Sequence, residues 1–383
     1  MERFGLRLKI GLIDNEIEPQ VLKSLVPYYL RETLVIQYKG IKEIEEQSTL
    51  GVQLPVNHST LCTALLIEGL YNKKILDRVQ VCNISIANEC GENTLQGLIE
   101  ALEYCYNHKF HILSMSVGVL NLLYAKQLIP LLHQLNNVVI VAAAANDFSL
   151  TYPAAFQTVI GVKRAVNKMR SLIEVSKNPP DGIELIMSYT NTPVLSKIKK
   201  KYGLTYEDSN SILVPQICAE IANYALQSMI KLTKESVLQL FTRSCGFSKN
   251  NAYQHYFARK ESSDSIPVVL FQYDIMNQNN RYELLRRLQT HFEKEGYSCA
   301  ILCDFIKESD FENGWYKTGS QNIKDEIAYY LNLVTDSILF LLINNKIAGD
   351  YCFDMLIEED MLCNSIDNET VARLFDKIVT AMS

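Results

Sequence analysis

The chain has 383 residues, enough for two ordinary domains and a sizeable hydrophobic core. Apolar residues make up 48% and charged residues 21%, which is typical of a soluble globular protein. No apolar run reaches the ~20 residues that span a bilayer, so no membrane is expected as a partner. Residues 267–383 carry a charge of −9 within a total of −6, which leaves +3 on residues 1–266. This asymmetry predicts two units, and the acidic part argues against nucleic acid as a partner.

The N-terminal part of the chain alternates apolar strand patterns with helical patterns. In chain order the predicted elements are strand 8–13, helix 61–70, strand 79–87, helix 94–107, strand 112–117, helix 122–135 and strand 137–143. A continuous apolar segment such as residues 138–143 is typical of a strand that is buried on both faces. The alternation therefore predicts an α/β fold, with a parallel sheet that helices cover on both faces.

The pattern loosens after this sheet and then becomes helical again. Residues 165–210 carry turn and surface signals, among them Asn-Pro-Pro-Asp-Gly at 178–182 and three consecutive lysines at 199–201. Helices are predicted over residues 212–231 and 234–243 because apolar side chains recur there at helical spacing.

Residues 247–265 are polar and turn-rich and are predicted to be a linker, with one domain over residues 1–246 and a second over residues 266–383. The predicted elements of the second domain are strand 268–273, helix 281–295, strand 298–304, helix 324–333, strand 338–343 and helix 370–382. They predict a smaller, Rossmann-like α/β domain of three or four strands. It lacks the glycine-rich motifs that bind phosphates, so no nucleotide cofactor is expected. Trp315 is predicted to lie in a loop, partly buried against the sheet.

The ten cysteines are predicted to be reduced thiols. No Cys-x-x-Cys pair occurs, which argues against a zinc site and a redox motif. Several lie inside apolar patterns, where a thiol behaves as a small hydrophobic group: Cys82, Cys105, Cys218, Cys299 and Cys303. With a charged N-terminus where a signal peptide would be apolar, this predicts a cytoplasmic protein. His108 and His111 are interpreted as loop histidines, and neither a metal nor another cofactor is expected.

Three polar residues stand out against the apolar elements around them. Asp14 ends the first strand, and the carboxyl ends of parallel strands are where catalytic groups gather. Taken alone, an aspartate there is also typical of a turn or a helix cap. His58 and Ser211 each begin an apolar helical pattern, where capping residues are equally common.

The segments around these residues resemble the motifs of subtilisin-like serine proteases (subtilases). Residues 10–14 are similar to the strand that carries the family's catalytic aspartate, and Asn-His-Ser-Thr at 57–60 is similar to Gly-His-Gly-Thr around its histidine. Ser-Asn-Ser-Ile-Leu-Val-Pro at 209–215 fits the nucleophile motif Gly-Thr-Ser-Met-Ala-Ala-Pro. The chain order Asp, His, Ser is also that of subtilisin. Further similar segments are residues 112–118, 139–147, 152–162 and 234–240, so the resemblance covers about residues 6–245.

The resemblance implies a catalytic triad of Asp14, His58 and Ser211. Ser211 would be the nucleophile, His58 the base that takes its proton, and Asp14 the group that orients the imidazole. Asn146 corresponds to the asparagine of the family's oxyanion hole, where it would act with the backbone N–H of Ser211.

The substrate implied by the resemblance is a peptide or protein segment in an extended conformation. It would bind as an added strand beside Ser116, Val117 and Gly118.

Several glycines that the family keeps beside its catalytic residues are absent from this chain. Asn57 and Ser59 flank His58, and other residues stand at the remaining positions: Asn15, Glu16, Ala145 and Ser209. Because glycine permits a positive φ and a close approach of the substrate backbone, we expect some backbone strain or a narrower cleft.

The leading hypothesis is a cytoplasmic subtilisin-like serine endopeptidase that processes selected peptides, for example by removing the leader of a ribosomally made peptide. A general turnover protease is the hypothesis most similar to this one. The alternative is a catalytically inactive protein that binds peptides in the same cleft or serves as a scaffold. The acidic C-terminal domain is a candidate surface for docking or homo-oligomerisation.

Overall fold

The chain divides into two compact units in the computed structural model. Unit 1 comprises Met1–Val119, Leu128–Asp147 and Thr151–Lys249, and unit 2 comprises Leu120–Gln127, Phe148–Leu150 and Asn250–Ser383. The predicted linker 247–265 lies outside the described residues. The structure describes residues 7–27, 35–39, 42–43, 56–88, 90–166, 169, 171–228, 231–245, 266–274, 276–319, 323–334, 336–344, 353–357 and 366–382.

Unit 1 is built on one sheet, which has nine strands within the described residues. The strands are β1 Leu8–Asp14, β2 Val35–Lys39, β3 Lys42–Glu43, β4 Val79–Ser85, β5 Ile112–Met115, β6 Val139–Ala143, β7 Ile160–Arg164, β8 Ile173–Val175 and β9 Leu185–Met187. Their order is β3-β2-β4-β1-β5-β6-β7-β9-β8, and every pairing is parallel except β2 with β3 and β8 with β9. The predicted α/β fold with a parallel sheet is confirmed.

Helices cover both faces of this sheet. The helices of unit 1 are α1 Pro19–Leu25, α2 His58–Asn72, α3 Leu95–Asn107, α5 Ile129–Gln134, α6 Pro193–Tyr202, α7 Leu213–Ser228 and α8 Lys234–Cys245, and α4 Leu122–Ala125 belongs to unit 2. Ile10 and Leu12 share one hydrophobic cluster with α2 and α7. Helix α3 packs on β1 and β4 outside that cluster, because side chains alternate between the faces of a strand.

Helices α2 and α7 approach each other closely at one glycine. A Cβ atom on Gly69 would lie 2.7 Å from the Cβ of Ala219, so no other residue fits there without a shift of one helix. Helix α2 begins at His58, and α7 begins at Leu213, two residues after Ser211. The packing at Gly69 therefore fixes the relative placement of the two helices that present these residues.

Two predictions for unit 1 and its neighbouring segments differ from the structure. The predicted helix 122–135 is interrupted, since a turn of 3-10 helix at Lys126–Leu128 separates α4 from α5. Pro130 lies in the first turn of α5, where its missing N–H costs no hydrogen bond. The turn-rich stretch 165–210 contains β8, β9 and α6.

Unit 2 contains a second parallel sheet, of five strands within the described residues. They are β10 Val268–Tyr273, β11 Cys299–Cys303, β12 Trp315–Lys317, β13 Ile338–Asn344 and β14 Met355–Ile357, in the order β12-β11-β13-β10-β14. Its longer helices are α9 Gln278–Lys294, α10 Ile323–Leu333 and α11 Asn368–Met382. The predicted α/β class is confirmed, and the predicted three or four strands are too few.

Trp315 differs from its predicted place in a loop. It begins β12, is 4% exposed, and its indole N–H donates to Gln289 Oε1 at 3.0 Å. No helix among the described residues of either unit is long and apolar enough to cross a membrane.

Candidate active site

The predicted triad residues lie together at the carboxyl end of β1. Asp14 Oδ2 lies 2.6 Å from His58 Nδ1, and His58 Nε2 lies 2.6 Å from Ser211 Oγ. Asp14 is 3% exposed and Ser211 9%, whereas a third of the His58 side chain is exposed. One face of the imidazole is thus open to a substrate while both of its nitrogens are engaged.

The start of α2 is fixed by hydrogen bonds that orient His58. The Asn57 side chain caps the helix by accepting from the backbone N–H of Thr60 at 2.9 Å, and its amide donates to the Glu16 carbonyl at 2.8 Å. The Thr60 hydroxyl accepts from the backbone N–H of Glu18 at 2.7 Å. The helix that begins at His58 is therefore tied to the segment that follows Asp14.

The hydrogen-bond partners determine where the protons lie. A carboxylate only accepts, so His58 Nδ1 carries a hydrogen and donates it to Asp14. In the neutral imidazole Nε2 then has a lone pair and accepts the hydroxyl hydrogen of Ser211. Asp14 also accepts from the backbone N–H of Asn15 at 2.8 Å, which holds its carboxylate in place.

Two neighbours determine how strongly His58 holds a proton. Burial of the imidazole lowers the pKa of His58, whereas the Cys62 sulfur and the hydrogen bond to Asp14 raise it. The balance places this pKa above the ordinary value of 6.5. His58 therefore holds a proton more tightly than a free imidazole, and the neutral form that accepts the Ser211 hydrogen is populated above this raised pKa.

Cys62 lies one helical turn after His58 and was not among the predicted site residues. Its Sγ is 3.7 Å from His58 Nε2, 3.9 Å from Nδ1 and 3.5 Å from Ser116 Oγ, and the residue is 1% exposed. Positions i and i+4 share a helix face, which is the sequence signal that places Cys62 beside His58.

The loop that carries Ser211, residues 209–212, is called the nucleophile loop after the predicted role of Ser211. It is anchored by Asn210, which is fully buried. Its amide donates to the carbonyl oxygens of Ala144 at 3.2 Å and Ala145 at 2.8 Å. Its Oδ1 accepts from the backbone N–H of Arg164 at 2.8 Å. The residue before Ser211 is thus fixed to the segment after β6 and to the end of β7.

Asn146 is tied to the loop that carries Ser211. Its Oδ1 accepts from the backbone N–H of Asn210 at 2.7 Å, which fixes the orientation of the amide. Neither Asn146 Nδ2 nor the backbone N–H of Ser211 has a hydrogen-bond partner among the described residues. Both donors can therefore serve a negatively charged oxygen.

The predicted substrate segment follows β5 directly. Ser116 Oγ donates to the Ser211 carbonyl at 3.4 Å, which ties this segment to the nucleophile loop. Val119, one residue beyond Gly118, pairs with Tyr152 through hydrogen bonds of 2.7 and 2.9 Å. A Cβ on Gly118 would lie 2.3 Å from Thr151 Cγ2, so a larger residue at this point would require the Thr151 side chain to move.

The backbone strain expected from the missing glycines does not occur. Asn57 has a φ of −78° as the N-cap of α2. Positive φ outside glycine is confined, among the described residues, to Lys74, Lys109, Phe148 and Asn178. The residues that replace the family's glycines next to the triad thus adopt ordinary backbone conformations.

The histidines at 108 and 111 have structural roles. His108 ends α3 and bonds to the carbonyl of Tyr104 through Nδ1 at 2.9 Å. His111 Nδ1 accepts from the backbone N–H of Lys9 at 3.0 Å.

One group of side chains in the site has the composition of a metal site. Donor atoms of Asp14, His58 and Cys62 lie within 4.8 Å of one another. Both nitrogens of His58 are engaged by Asp14 and Ser211, so an ion would have to displace one of these partners. The expectation that the protein uses no metal stays a prediction.

Comparison with known proteins gives similarity at the level of the fold. No family model and no curated protein matches the chain. A lanthipeptide protease is 14% identical over 62% of this chain and 79% of its own, with a TM-score of 0.41. The epidermin leader peptide processing serine protease of Staphylococcus aureus is 14% identical over 65% and 72%, with a TM-score of 0.42. A cold adapted subtilisin-like serine proteinase is 12% identical over 62% and 81%, with a TM-score of 0.39.

Subtilisin-like proteases are among the solved structures to which this chain is similar. Identities of 12–14% and TM-scores below 0.5 are too low for an activity or a substrate to be carried over.

Proposed function

We propose that this protein is a serine endopeptidase of the subtilisin-like type that cleaves selected peptides. The observation that carries the proposal is the hydrogen-bonded chain from Asp14 through His58 to Ser211, with both links at 2.6 Å. A serine hydroxyl becomes an effective nucleophile when a positioned imidazole takes its proton, and this arrangement supplies such a base.

The proposed reaction proceeds through an acyl-enzyme. Ser211 Oγ attacks the peptide carbonyl while its proton moves to His58 Nε2, and the imidazolium is stabilised by Asp14. His58 then gives that proton to the leaving amine as the C–N bond breaks. A water molecule, deprotonated by His58, attacks the ester, and Ser211 leaves with the returned proton.

The negative charge on the carbonyl oxygen would be stabilised by two donors. The first donor is Asn146 Nδ2, which is oriented by the hydrogen bond between Asn146 Oδ1 and the backbone N–H of Asn210. The second is the backbone N–H of Ser211, which lies just before the N-terminus of α7. Donors that are fixed before the reaction stabilise a tetrahedral intermediate without reorganisation.

The substrate in this proposal is an extended peptide segment beside Ser116, Val117 and Gly118. The tight contact of Gly118 with Thr151 and the pairing of Val119 with Tyr152 support a rim of fixed shape. A fixed rim favours a selective protease over a scavenging one. We place removal of a leader from a ribosomally made peptide first among the processing reactions, because a second α/β unit in addition to the one that carries the triad suits an enzyme dedicated to one kind of substrate.

A reducing compartment such as the cytoplasm is part of the proposal. The cysteines of the described ranges are free thiols, at Cys62, Cys82, Cys90, Cys105, Cys218, Cys245, Cys299 and Cys303. Thiols persist where disulfides are reduced.

Labelling with a fluorophosphonate tests the proposed function. We expect stoichiometric modification of Ser211, located by peptide mass spectrometry, and its loss in Ser211→Ala and His58→Ala. Ser196→Ala is the matched control because Ser196 is an exposed serine on α6. A folded wild-type protein that stays unlabelled would contradict the proposal and favour the non-catalytic peptide-binding alternative.

Unit 2 is proposed to serve docking or homo-oligomerisation, since residues 267–383 carry the charge of −9. Sedimentation at low and high salt tests this idea in the full chain. A monomer at every salt concentration, together with binding of a basic peptide that is equally strong at low and high salt, would exclude it.

A further inference from the structure

The nucleophile has a second hydrogen-bond partner besides the imidazole. Ser209 Oγ lies 2.8 Å from Ser211 Oγ, on a residue that precedes the nucleophile by two positions. The corresponding position in the family's nucleophile motif is glycine, which has no side chain to offer this contact.

The contact between the two hydroxyls is fixed by the loop that carries them. The backbone N–H of Ser209 donates to the Tyr206 carbonyl at 3.0 Å. On the other side, the backbone N–H of Asn210 donates to Asn146 at 2.7 Å, and the Asn210 side chain is fully buried. Ser209 is therefore held on both sides at hydrogen-bond distance from Ser211.

The proton count determines which hydroxyl donates. With neutral His58 the single hydroxyl hydrogen of Ser211 is donated to Nε2, so Ser211 Oγ can only accept from Ser209. The Ser209 hydroxyl is thus a donor aimed at the oxygen that forms and breaks the covalent bond.

We propose that Ser209 is a further catalytic residue of this protein, whose hydroxyl stabilises the charge that returns to Ser211 Oγ when the acyl-enzyme breaks down. This inference rests on the proposed function. In that step the bond between the acyl carbon and Ser211 Oγ breaks and its electron pair moves onto the oxygen. His58 returns to Oγ the proton that it took from water, while Ser209 keeps its own proton and donates a hydrogen bond throughout.

The physical effect is largest in deacylation. A hydrogen bond to an oxygen that carries developing negative charge is stronger than one to a neutral ester oxygen. The bond from Ser209 therefore favours the transition state over the acyl-enzyme, and a bond that strengthens in the transition state raises kcat rather than lowering KM.

Burst kinetics with p-nitrophenyl acetate test the role of Ser209 in the full-length protein. We expect Ser209→Ala and Ser209→Gly to keep a burst of one p-nitrophenolate per chain and to lower the steady-state rate by about 3–10-fold. Ser209→Thr retains the hydroxyl and is expected to retain most of that rate. Ser196→Ala, on the exposed face of α6, serves as the control.

The possible outcomes separate the two proposals. A normal burst with a steady-state rate within twofold of the wild type in Ser209→Ala would overturn the role of Ser209 and leave the proposed function intact. An equal loss in Ser209→Thr would also overturn it, because the hydroxyl would then not be the active group. A wild-type protein that neither hydrolyses p-nitrophenyl acetate nor reacts with the fluorophosphonate would overturn both.

Discussion

The sheets of unit 1 and unit 2 both carry polar side chains at the carboxyl ends of neighbouring parallel strands. In unit 1, Asp14 ends β1 and Ser116 follows β5, next to the nucleophile loop. In unit 2, Tyr273 ends β10, Asp304 follows β11 and Asn344 ends β13.

The polar groups of unit 2 satisfy one another. The Tyr273 hydroxyl donates to Asp304 Oδ1 at 2.6 Å, and the backbone N–H of Asn344 donates to Asp304 Oδ2 at 2.9 Å. Both oxygens of this carboxylate are thus used to join three strands. The cluster joins the strands, and its hydroxyl donates to a carboxylate that is already engaged, with no histidine among these three residues.

The polar groups of unit 1 form a chain instead of a closed cluster. Asp14 binds His58, and His58 binds Ser211, whose hydroxyl oxygen attacks the substrate carbonyl in the proposed reaction. The comparison teaches that the edge of a parallel sheet collects polar groups in either case. Such a group of side chains can be a catalytic site only when its last hydrogen-bonded member, as Ser211 in unit 1, can still react with a substrate.

The same substitution in both clusters gives the largest expected contrast. Asp14→Asn presents an amide where His58 needs a carboxylate, so the tautomer is lost and kcat falls on the order of 10⁴-fold. Asp304→Asn lowers stability and leaves kcat for p-nitrophenyl acetate unchanged. Equal kcat losses in the two variants would show that the clusters do not differ as described.

Asn146→Ala tests whether the open donor of unit 1 acts on a substrate. Removal of an oxyanion donor lowers kcat by about 10²–10³-fold. Steady-state hydrolysis of a peptide substrate, with Asn136→Ala on the exposed surface as the control, measures the loss. A loss below tenfold would exclude Asn146 from the oxyanion hole.

Asn210→Ala tests the hydrogen bonds that anchor the loop of Ser211, in which the Asn210 side chain is fully engaged as the Asp304 carboxylate is in unit 2. The change leaves the carbonyls of Ala144 and Ala145 without their buried donor, which costs about 1–3 kcal/mol of unfolding free energy. Urea denaturation measures this cost. Asn223→Ala, on a half-exposed position of α7, should change it far less, and similar costs for both would contradict the anchoring role of Asn210.

Cys62→Ala is expected to shift the pH profile of activity. His58 acts as a base only when it is neutral, so activity falls as the pH drops through its raised pKa. Removal of the Cys62 sulfur lowers that pKa, and the acidic limb of kcat/KM moves to lower pH. Cys245→Ala is the control, and an unmoved limb in Cys62→Ala would exclude the sulfur as a cause.

Much of the fold follows from patterns within single segments. Residues 268–273 were predicted as a strand and form β10 with the same bounds, because a short apolar run is a local signal. Helix α6 was missed although its ends carry signals, with Thr192 as the N-cap and Gly203 at a φ of 71° after the last turn. Its three lysines lie in the last turn, where the helix dipole favours cations.

Site residues that stand in sequence motifs could be predicted. Site residues that are placed by hydrogen bonds between distant segments could not. Asp14, His58 and Ser211 stand in motifs, and the structure brings them to hydrogen-bond distance. Asn210 bonds to residues between 46 and 66 positions away, a pairing with no local pattern. For Ser209 the motif shows only that a glycine is replaced, and it does not indicate what the added hydroxyl contacts.

Because of the contact between Gly69 and Ala219, the distance between His58 and Ser211 depends on a residue that has no reactive side chain. A methyl group added at Gly69 would act as a wedge between α2 and α7, and the first property to change would be the alignment of His58 with Ser211. An inventory of reactive side chains would pass over this residue. A conservative substitution there would therefore change the alignment of His58 with Ser211 from a distance, which gives protein engineers a control point outside the cleft.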